Sequence, residues 1–543
     1  MKKIIIIIFC LSFFDVISQT YPQTGKYEQI IYENNVIKTK TFTNPLINPD
    51  KNLLINEYQN QNRNSINASI TRWTFIDPVS IGNDVAISGD GITGVCGWGL
   101  NSERTSTYGN LNNTPIWEYP ASNQTDRNYV SASDTGIIAV GSYRNIYLFD
   151  KNSGTPFFNF DLTTLPDTGF AGPIDITSDG GYIVAGVWRY DTSTVFGFNK
   201  NSTTSVWKLR IPTRLYGVRI SGNDSLVIVS TYSHYWVINT FTGLVRYDGA
   251  ITDGTQMTQG ISGNGNIIAT VNYKGYLKVY QWSGSSYNLL WQYQEPPGTY
   301  YNWFTAVDIS YDGSYIAGGT LIFVSSSSFD GRLRYFKVSN GSTPLWSYIG
   351  LQDEVDWVSF SKNGKILVLT SYGDVSNSKD DFLIFKTTTG TNVPIYSVNM
   401  PGSPFMCGVS NDGTTAYASG KAVHARIMGS GGTLWNVSID TSEGTSNVGN
   451  ISGIAPNEYK LEQNYPNPFN PTTNIKYQIA KNSFVTLKVF DVLGKEIATV
   501  VNGYRKAGYY ETNWDASQYP SGMYFYKLIS GDFSETKKLI LVK

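Results

Sequence analysis

The stretch AVDISYDGSYIAGG, from Ala306 to Gly319, followed at Leu333 to Gly350 by LRYFKVSNGSTPLWSYIG, decides the fold. An apolar run of strand length enters Ser310-Tyr311-Asp312-Gly313, a second run leaves it as Ile316-Ala317-Gly318-Gly319, and a third carries aromatics into a Gly-bearing turn. A fourth contains Trp346. Short apolar runs bounded by Gly, Asn, Asp and Ser are strand signals. Asp-Gly between two of them predicts a tight hairpin, because both central residues can take left-handed angles that match strand twist.

Outward from this copy the pattern recurs, at Ser88-Gly89-Asp90-Gly91, Ser133-Asp134, Ser178-Asp179-Gly180, Ser221-Gly222-Asn223, Ser262-Gly263-Asn264-Gly265, Ser361-Lys362-Asn363-Gly364 and Ser410-Asn411-Asp412-Gly413. The eight copies are spaced by roughly 41 to 51 residues, the length of a four-stranded propeller blade. The expectation is an all-β chain whose residues 76–440 form an eight-bladed β-propeller, or a seven-bladed one if an end copy is displaced. Trp117, Trp207, Trp291, Trp346 and Trp435 are placed on outer strands, packing one blade on the next. At the level of its repeat this region resembles the broad WD40-like and quinoprotein-like propeller group, which implies a fold and no activity.

Residues 459–543 read differently. LEQNYPNPFNPTTNIKYQIA opens the segment, FVTLKVFDVLGKEIATVV follows and GYYETNWDASQYPSGMYFYKLISGDFSETKKLILVK closes it. Ile475, Tyr477 and Ile479 alternate with polar neighbours, as do Val485, Leu487 and Val489, which predicts half-buried strands of a small β-sandwich. Eleven Lys and Arg against seven Asp and Glu make the segment about +4, while the rest of the chain is about −5. The order of motifs, NPFNP, then Asp491 before Leu493-Gly494-Lys495, then Trp514-Asp515 and Ser521-Gly522-Met523-Tyr524, resembles the C-terminal sorting domain of the type IX secretion system. That resemblance implies export to the surface or exterior of a Gram-negative bacterium, with the secretion machinery as partner. Gly522, Tyr524, Lys537, Lys538 and Lys543 are the residues expected to carry the signal.

At the other end, Lys2 and Lys3 precede an apolar run from Ile4 to Phe14 that is too short to span a bilayer, and Val16-Ile17-Ser18 offers a cleavage site, so 1–18 reads as a signal peptide. No later stretch reaches transmembrane length. Residues 19–75 carry no assigned role, although Ser69 to Ile76 has the make-up of a strand; 441–458, rich in Gly, Ser and Asn, read as a flexible linker. Aromatics at 14% with charges at 15% fit a β-rich extracellular chain, and a net charge of −1 offers no field for nucleic acid. Cys96 and Cys407 remain after leader removal. They sit in the first and last copies, neighbours in a closed ring, and either pair there or pack as two small hydrophobes.

Chemistry is sparse. The two histidines, His234 and His424, lie in no spacing typical of a metal site or a hydrolytic triad, and no cofactor is expected. Asp353, Glu354, Asp356 and Asp374 occupy connections of the sixth and seventh copies, where a polysaccharide-active hydrolase or lyase could place paired acids. The stronger expectation is a binding or interaction protein. In a propeller, the loops joining second to third strands and those leading into each next blade emerge on one face. Tyr143, Trp188, Tyr190, Tyr232, Tyr273, Tyr300, Tyr301, Trp303, Trp357 and Tyr372 map there, and Trp188, Tyr190, Tyr300, Tyr301, Trp303 and Trp357 are the expected exposed contacts for a glycan or protein ligand. Asp175, Arg219 and Asp308, on innermost strands, should line the axis.

Overall fold

The computed structural model describes residues 26–33, 36–43, 69–100, 102–120, 128–165, 169–189, 192–251, 256–441, 449–452, 458–481, 483–505, 508–531 and 533–543. The leader at 1–18, Tyr190 and most of the 441–458 linker lie outside them. Two compact units result, one built on Ile70–Ile439 and the other on Asp440–Lys543. Within the unassigned N-terminal segment, Lys26–Glu33 and Val36–Thr43 pair as an antiparallel hairpin.

The first unit is a β-propeller. Among its described residues, four-stranded antiparallel sheets follow one another from Ile81–Ile87 onward, and the eighth combines Ser403–Val409, Thr415–Lys421 and Gly432–Ser438 with Ile70–Asp77. Innermost strands pack side by side in succession, and Ser403–Val409 returns to Ile81–Ile87, so the ring closes. The N-terminal strand thus supplies the outer strand of the C-terminal sheet, in the register Ile70↔Ser438 to Asp77↔Gly432. One consequence is a correction: Trp435 lies on the third strand of its sheet, because residues from the far end of the unit occupy the fourth position.

The repeated Ser-x-Asp/Asn-Gly has a uniform local structure. The hydroxyls of Thr177, Ser221, Ser262, Ser310, Ser361 and Ser410 donate to the Asp or Asn two residues on, at 2.6–3.0 Å. Each hydroxyl also accepts the amide five residues on, as in Tyr315 N to Ser310 Oγ at 2.9 Å. Only the fourth residue has a positive φ, for example 75° at Gly313; Asp224 (65°) takes that place in the one copy lacking glycine. The hairpin is therefore a Ser-capped turn with a single left-handed residue, where two had been expected, because the side-chain cap holds the first three residues in ordinary conformations. Neighbouring tips join by backbone hydrogen bonds, including Asn411 N to Gly89 O (3.0 Å) across the closure. Capping and tip-to-tip pairing explain the motif without a ligand.

Between sheets, the indole N–H of Trp117, Trp207 and Trp291 donates to a carbonyl of the next sheet, Lys151, Thr240 and Val338 respectively, at 2.8–3.1 Å. Each tryptophan thus bolts two blades together. Cys96 and Cys407 are buried and free. Cys96 packs with Trp73, Trp98 and Tyr417, whereas Cys407 packs with Ile384, Ala418 and Trp435, so both serve as small hydrophobes.

The second unit is a sandwich of two sheets, 449–452/508–515/472–479/460–461 and 496–505/483–490/522–530/533–541 in spatial order. Gly449–Ser452 is an edge strand paired with Gly508–Asp515, so pairing begins inside the stretch read as linker. Alternation puts Ile475, Tyr477, Ile479, Val485, Leu487 and Val489 in one core with Trp514, Tyr526 and Leu541. The NPFNP run lies along the terminal strand: Phe469 is buried and its amide donates to Ile540 O at 3.0 Å, while Asn467 Oδ1 accepts from Ile540 N at 2.9 Å. Covering that edge prevents it from pairing with another chain.

Candidate binding face

The loops that leave each second strand and those that lead into the next sheet gather on one face of the propeller, and aromatic rings join there into two runs. In the first, Tyr143 meets Phe170 (5.5 Å between centroids), Phe170 meets Trp188 (5.1 Å), and the Arg214 guanidinium lies 4.5 Å over the Trp188 ring. Arg214 also faces Tyr216, which contacts the exposed Tyr232 at 4.0 Å. The second run links Tyr273 to Trp303 (4.7 Å), Trp303 to Phe323 (5.0 Å), Tyr300 to Phe323 (5.8 Å) and Phe323 to Phe329 (5.5 Å). It ends where the Arg426 guanidinium covers Phe329 at 4.1 Å. A guanidinium over a ring face is attracted by the ring quadrupole.

These contacts divide the expected ligand residues. Tyr300 and Tyr301 are 38% and 54% exposed. Trp188, Trp303 and Trp357 are half-buried, which corrects the expectation that all would stand out: Trp188 is clamped between Phe170 and Arg214, Trp303 between Tyr273 and Phe323, and Trp357 packs on the core that holds Cys407. Large rings at strand ends gain more from filling the inter-blade gap than from remaining in water. Tyr190 falls outside the described residues.

The four acids are engaged structurally. Asp353 is 3% exposed and receives Nε and Nη2 of Arg426, each at 2.7 Å. His424 is buried beside them; its Nδ1 accepts the Arg426 amide (3.2 Å) and its Nε2 points to Gly373 O (3.3 Å). Burial pulls the imidazole pKa down against the pull of Asp353, so it stays neutral at neutral pH. Glu354 is buried, Asp356 accepts from Tyr372 Oη at 3.4 Å, and Asp374 caps the amides of Ser378 and Lys379. Those hydrogen bonds hold the Asp374 carboxyl at about 2 in spite of partial burial. Sequence reading passed over Arg426 and Lys421. Lys421 is buried, donates to Ile427 O at 2.5 Å, and is lowered by burial to about 8; neither residue lies in a motif, and only the fold brings them to Asp353 and His424.

A second buried pair supports the same face. Glu295, 1% exposed, takes the Arg334 guanidinium with both carboxylate oxygens, the Nη2 contact being 3.1 Å. Replacing Arg334 by Leu would leave an unpaired buried carboxylate and should cost about 3–5 kcal/mol in urea unfolding. The double variant Glu295→Gln, Arg334→Leu should recover much of that loss; equal stability of the single variant and the parent would refute the assignment.

On the axis, Arg219 reaches Asp308 at 2.8 Å, and Asp308 Oδ2 accepts the amide of Phe360 on the following inner strand. Asp175 does the same for Ile220 (2.8 Å) and takes the Ser131 hydroxyl at 2.7 Å. Burial raises the Asp175 carboxyl above its ordinary value. These side chains knit the inner strands together.

In the sandwich the expected signal residues are not equivalent. Gly522, Lys538 and Lys543 are exposed, Lys537 is half-buried and pairs with Glu535 at 3.0 Å, and Tyr524 is a core residue at 6% exposure whose Oη donates to Pro520 O. Tyr524 therefore acts through the fold and not as a contact, because strand alternation points it into the sandwich.

A β-propeller followed by a separate β-sandwich defines the class: an all-β protein with an appended address domain. Residues 463–543 match the family described as the secretion system C-terminal sorting domain. Among solved structures, the chain is similar to the β-propeller domain of Cps50 (Swd1) from Myceliophteria thermophila, with 11% identity, 56% of this chain and 96% of that chain covered, and a TM-score of 0.42. No curated protein matches. Among the described residues no helix is long and apolar enough to cross a membrane.

Proposed function

We propose that this chain is an exported binding protein, delivered by type IX machinery that reads its C-terminal sandwich, whose propeller captures a glycan or protein ligand on the aromatic face. The sorting-domain match supports export to the surface or exterior of a Gram-negative cell. The observation that carries the binding reading is the second aromatic run: Tyr300 and Tyr301 are exposed above a base of Phe323 and Trp303 that is already packed. Rings held this way offer contact area at little entropic cost. The alternative, a polysaccharide-active hydrolase or lyase using loop carboxylates, has Asp353 clamped by Arg426 and Asp374 occupied with its own loop.

The test is a glycan array and a pull-down with the purified protein and its Tyr300→Ala, Tyr301→Ala variant. Capture should fall about tenfold, within the 1–3 kcal/mol range of aromatic anchors, at unchanged melting temperature. Undiminished capture would place the ligand elsewhere.

A further inference from the structure

The connection Tyr372–Asp381 of the seventh sheet contains Asp374, Asp380 and Asp381 with Ser376, Asn377 and Ser378 between them. An acidic loop alone says little, since Asp374 and Asp380 are satisfied by hydroxyls and amides of their surroundings. Asp381 is different. It is 0% exposed, its Oδ1 accepts the Met400 amide at 2.8 Å, and its Oδ2 lies against Gly373 with no donor among the described residues. The next residue in that wall repeats the condition: Asn399 commits its Nδ2 to Asn377 O, which orients its Oδ1, and that oxygen is also buried without a donor. Asn377, left-handed at φ 54°, closes the loop by accepting the Gly402 amide at 3.1 Å.

Two buried acceptor oxygens from neighbouring segments, one of them a carboxylate, leave a concentration of negative charge that no protein donor meets. Burial and the nearby charges of Asp380 and Asp374 all act against the ionised form of Asp381, so a cation would relieve each of these costs together. The donors are hard oxygens, and the described residues hold no cluster of three or more His, Cys, Asp and Glu that could bind a metal. That composition disfavours zinc and suits an ion that accepts amide and carbonyl oxygens in irregular geometry. We propose that the 372–381 connection and Asn399 bind a calcium ion, with Asp381 Oδ2 and Asn399 Oδ1 as side-chain ligands. The loop belongs to the same face as the aromatic runs, but this site stands on its own oxygens and does not depend on the ligand proposed above.

The experiment is calcium titration of the chelator-treated full chain, read by calorimetry and by terbium luminescence, for which Tyr372 is an adjacent sensitiser. Saturable binding is expected with Kd on the order of 10⁻⁴ to 10⁻³ M, typical of extracellular sites, and magnesium should compete weakly. Asp381→Asn, nearly isosteric, should weaken binding at least tenfold, and Asn399→Ala severalfold. Asp380→Asn, on the exposed neighbour, should bind like the parent. Absence of saturable binding by the parent chain, or full binding by Asp381→Asn, would overturn the assignment. If Asp381→Asn fails to fold, Asn399→Ala decides: unchanged affinity in that variant overturns it equally.

Discussion

A chain beginning after Asp77 should fail to form a cooperative propeller. Ile70–Asp77 is the outer strand of the last sheet, and its loss would strip Gly432–Ser438 of a full ladder. It would also remove Trp73, 2% exposed and packed 5.4 Å from Tyr108 of the first sheet and 5.6 Å from Tyr417 of the last. Arg72 would go with it, together with its bonds to Thr415, Asn436 and Ser438. One residue type is thus inserted at the seam where two ends of the unit meet. Trp73→Ala alone should cost about 3–5 kcal/mol, as for other buried aromatics, and the deletion considerably more. Circular dichroism melts of the parent, the point variant and the deletion check this. A deletion that melts at the parental temperature with parental sharpness would mean that the ring is held by sheet-to-sheet packing and not by the exchanged strand.

Removal of Asp440–Lys543 should have the opposite profile, abolishing export while sparing the fold. The sandwich core runs from Leu461 to Leu541 and contains no propeller residue, and the propeller clusters contain none of the sandwich. The truncated chain should therefore melt as the propeller does in the full protein. In a host with type IX secretion, surface display should fall at least tenfold and the protein accumulate inside the envelope. A second variant, Trp514→Ala, removes a fully buried ring from the sandwich and should reduce display through loss of the domain's structure, with about 3–5 kcal/mol taken from that unit. Unchanged display of the truncated chain would remove the export reading.

Much of this was legible in the residues. The recurring Ser-x-Asp/Asn-Gly marks each inner hairpin because a short hydroxyl and a short acceptor two residues on are what cap such a turn, and both requirements are local. Alternation at Ile475–Ile479 and Val485–Val489 marks the sandwich strands for the same reason: a period of two is written along one strand and needs no partner to be read. The indoles of Trp117, Trp207 and Trp291 were expected between blades and are found there, bonded to the next sheet.

Other features depend on which distant segments meet, and one-dimensional spacing does not carry that. Nothing in Ile70–Asp77 by itself says that it completes a sheet begun more than 300 residues later; ring closure decides it. Asp353 looked like a candidate acid until the fold placed Arg426, 73 residues away, against both of its oxygens. Trp188, Trp303 and Trp357 share a face with Tyr300 and Tyr301, but the packing of neighbouring loops decides which rings sink and which remain exposed. Asp381 and Asn399 are two polar residues among many in the sequence, and only burial of both oxygens in one loop wall makes them a candidate site. The sequence alone therefore determined the strands, their turns and the two-part organisation, because those follow from local periodicity and capping. The tertiary structure decided the closure, the ion pairs and the character of the binding face, because each is a contact between residues whose proximity exists only after the ring has formed.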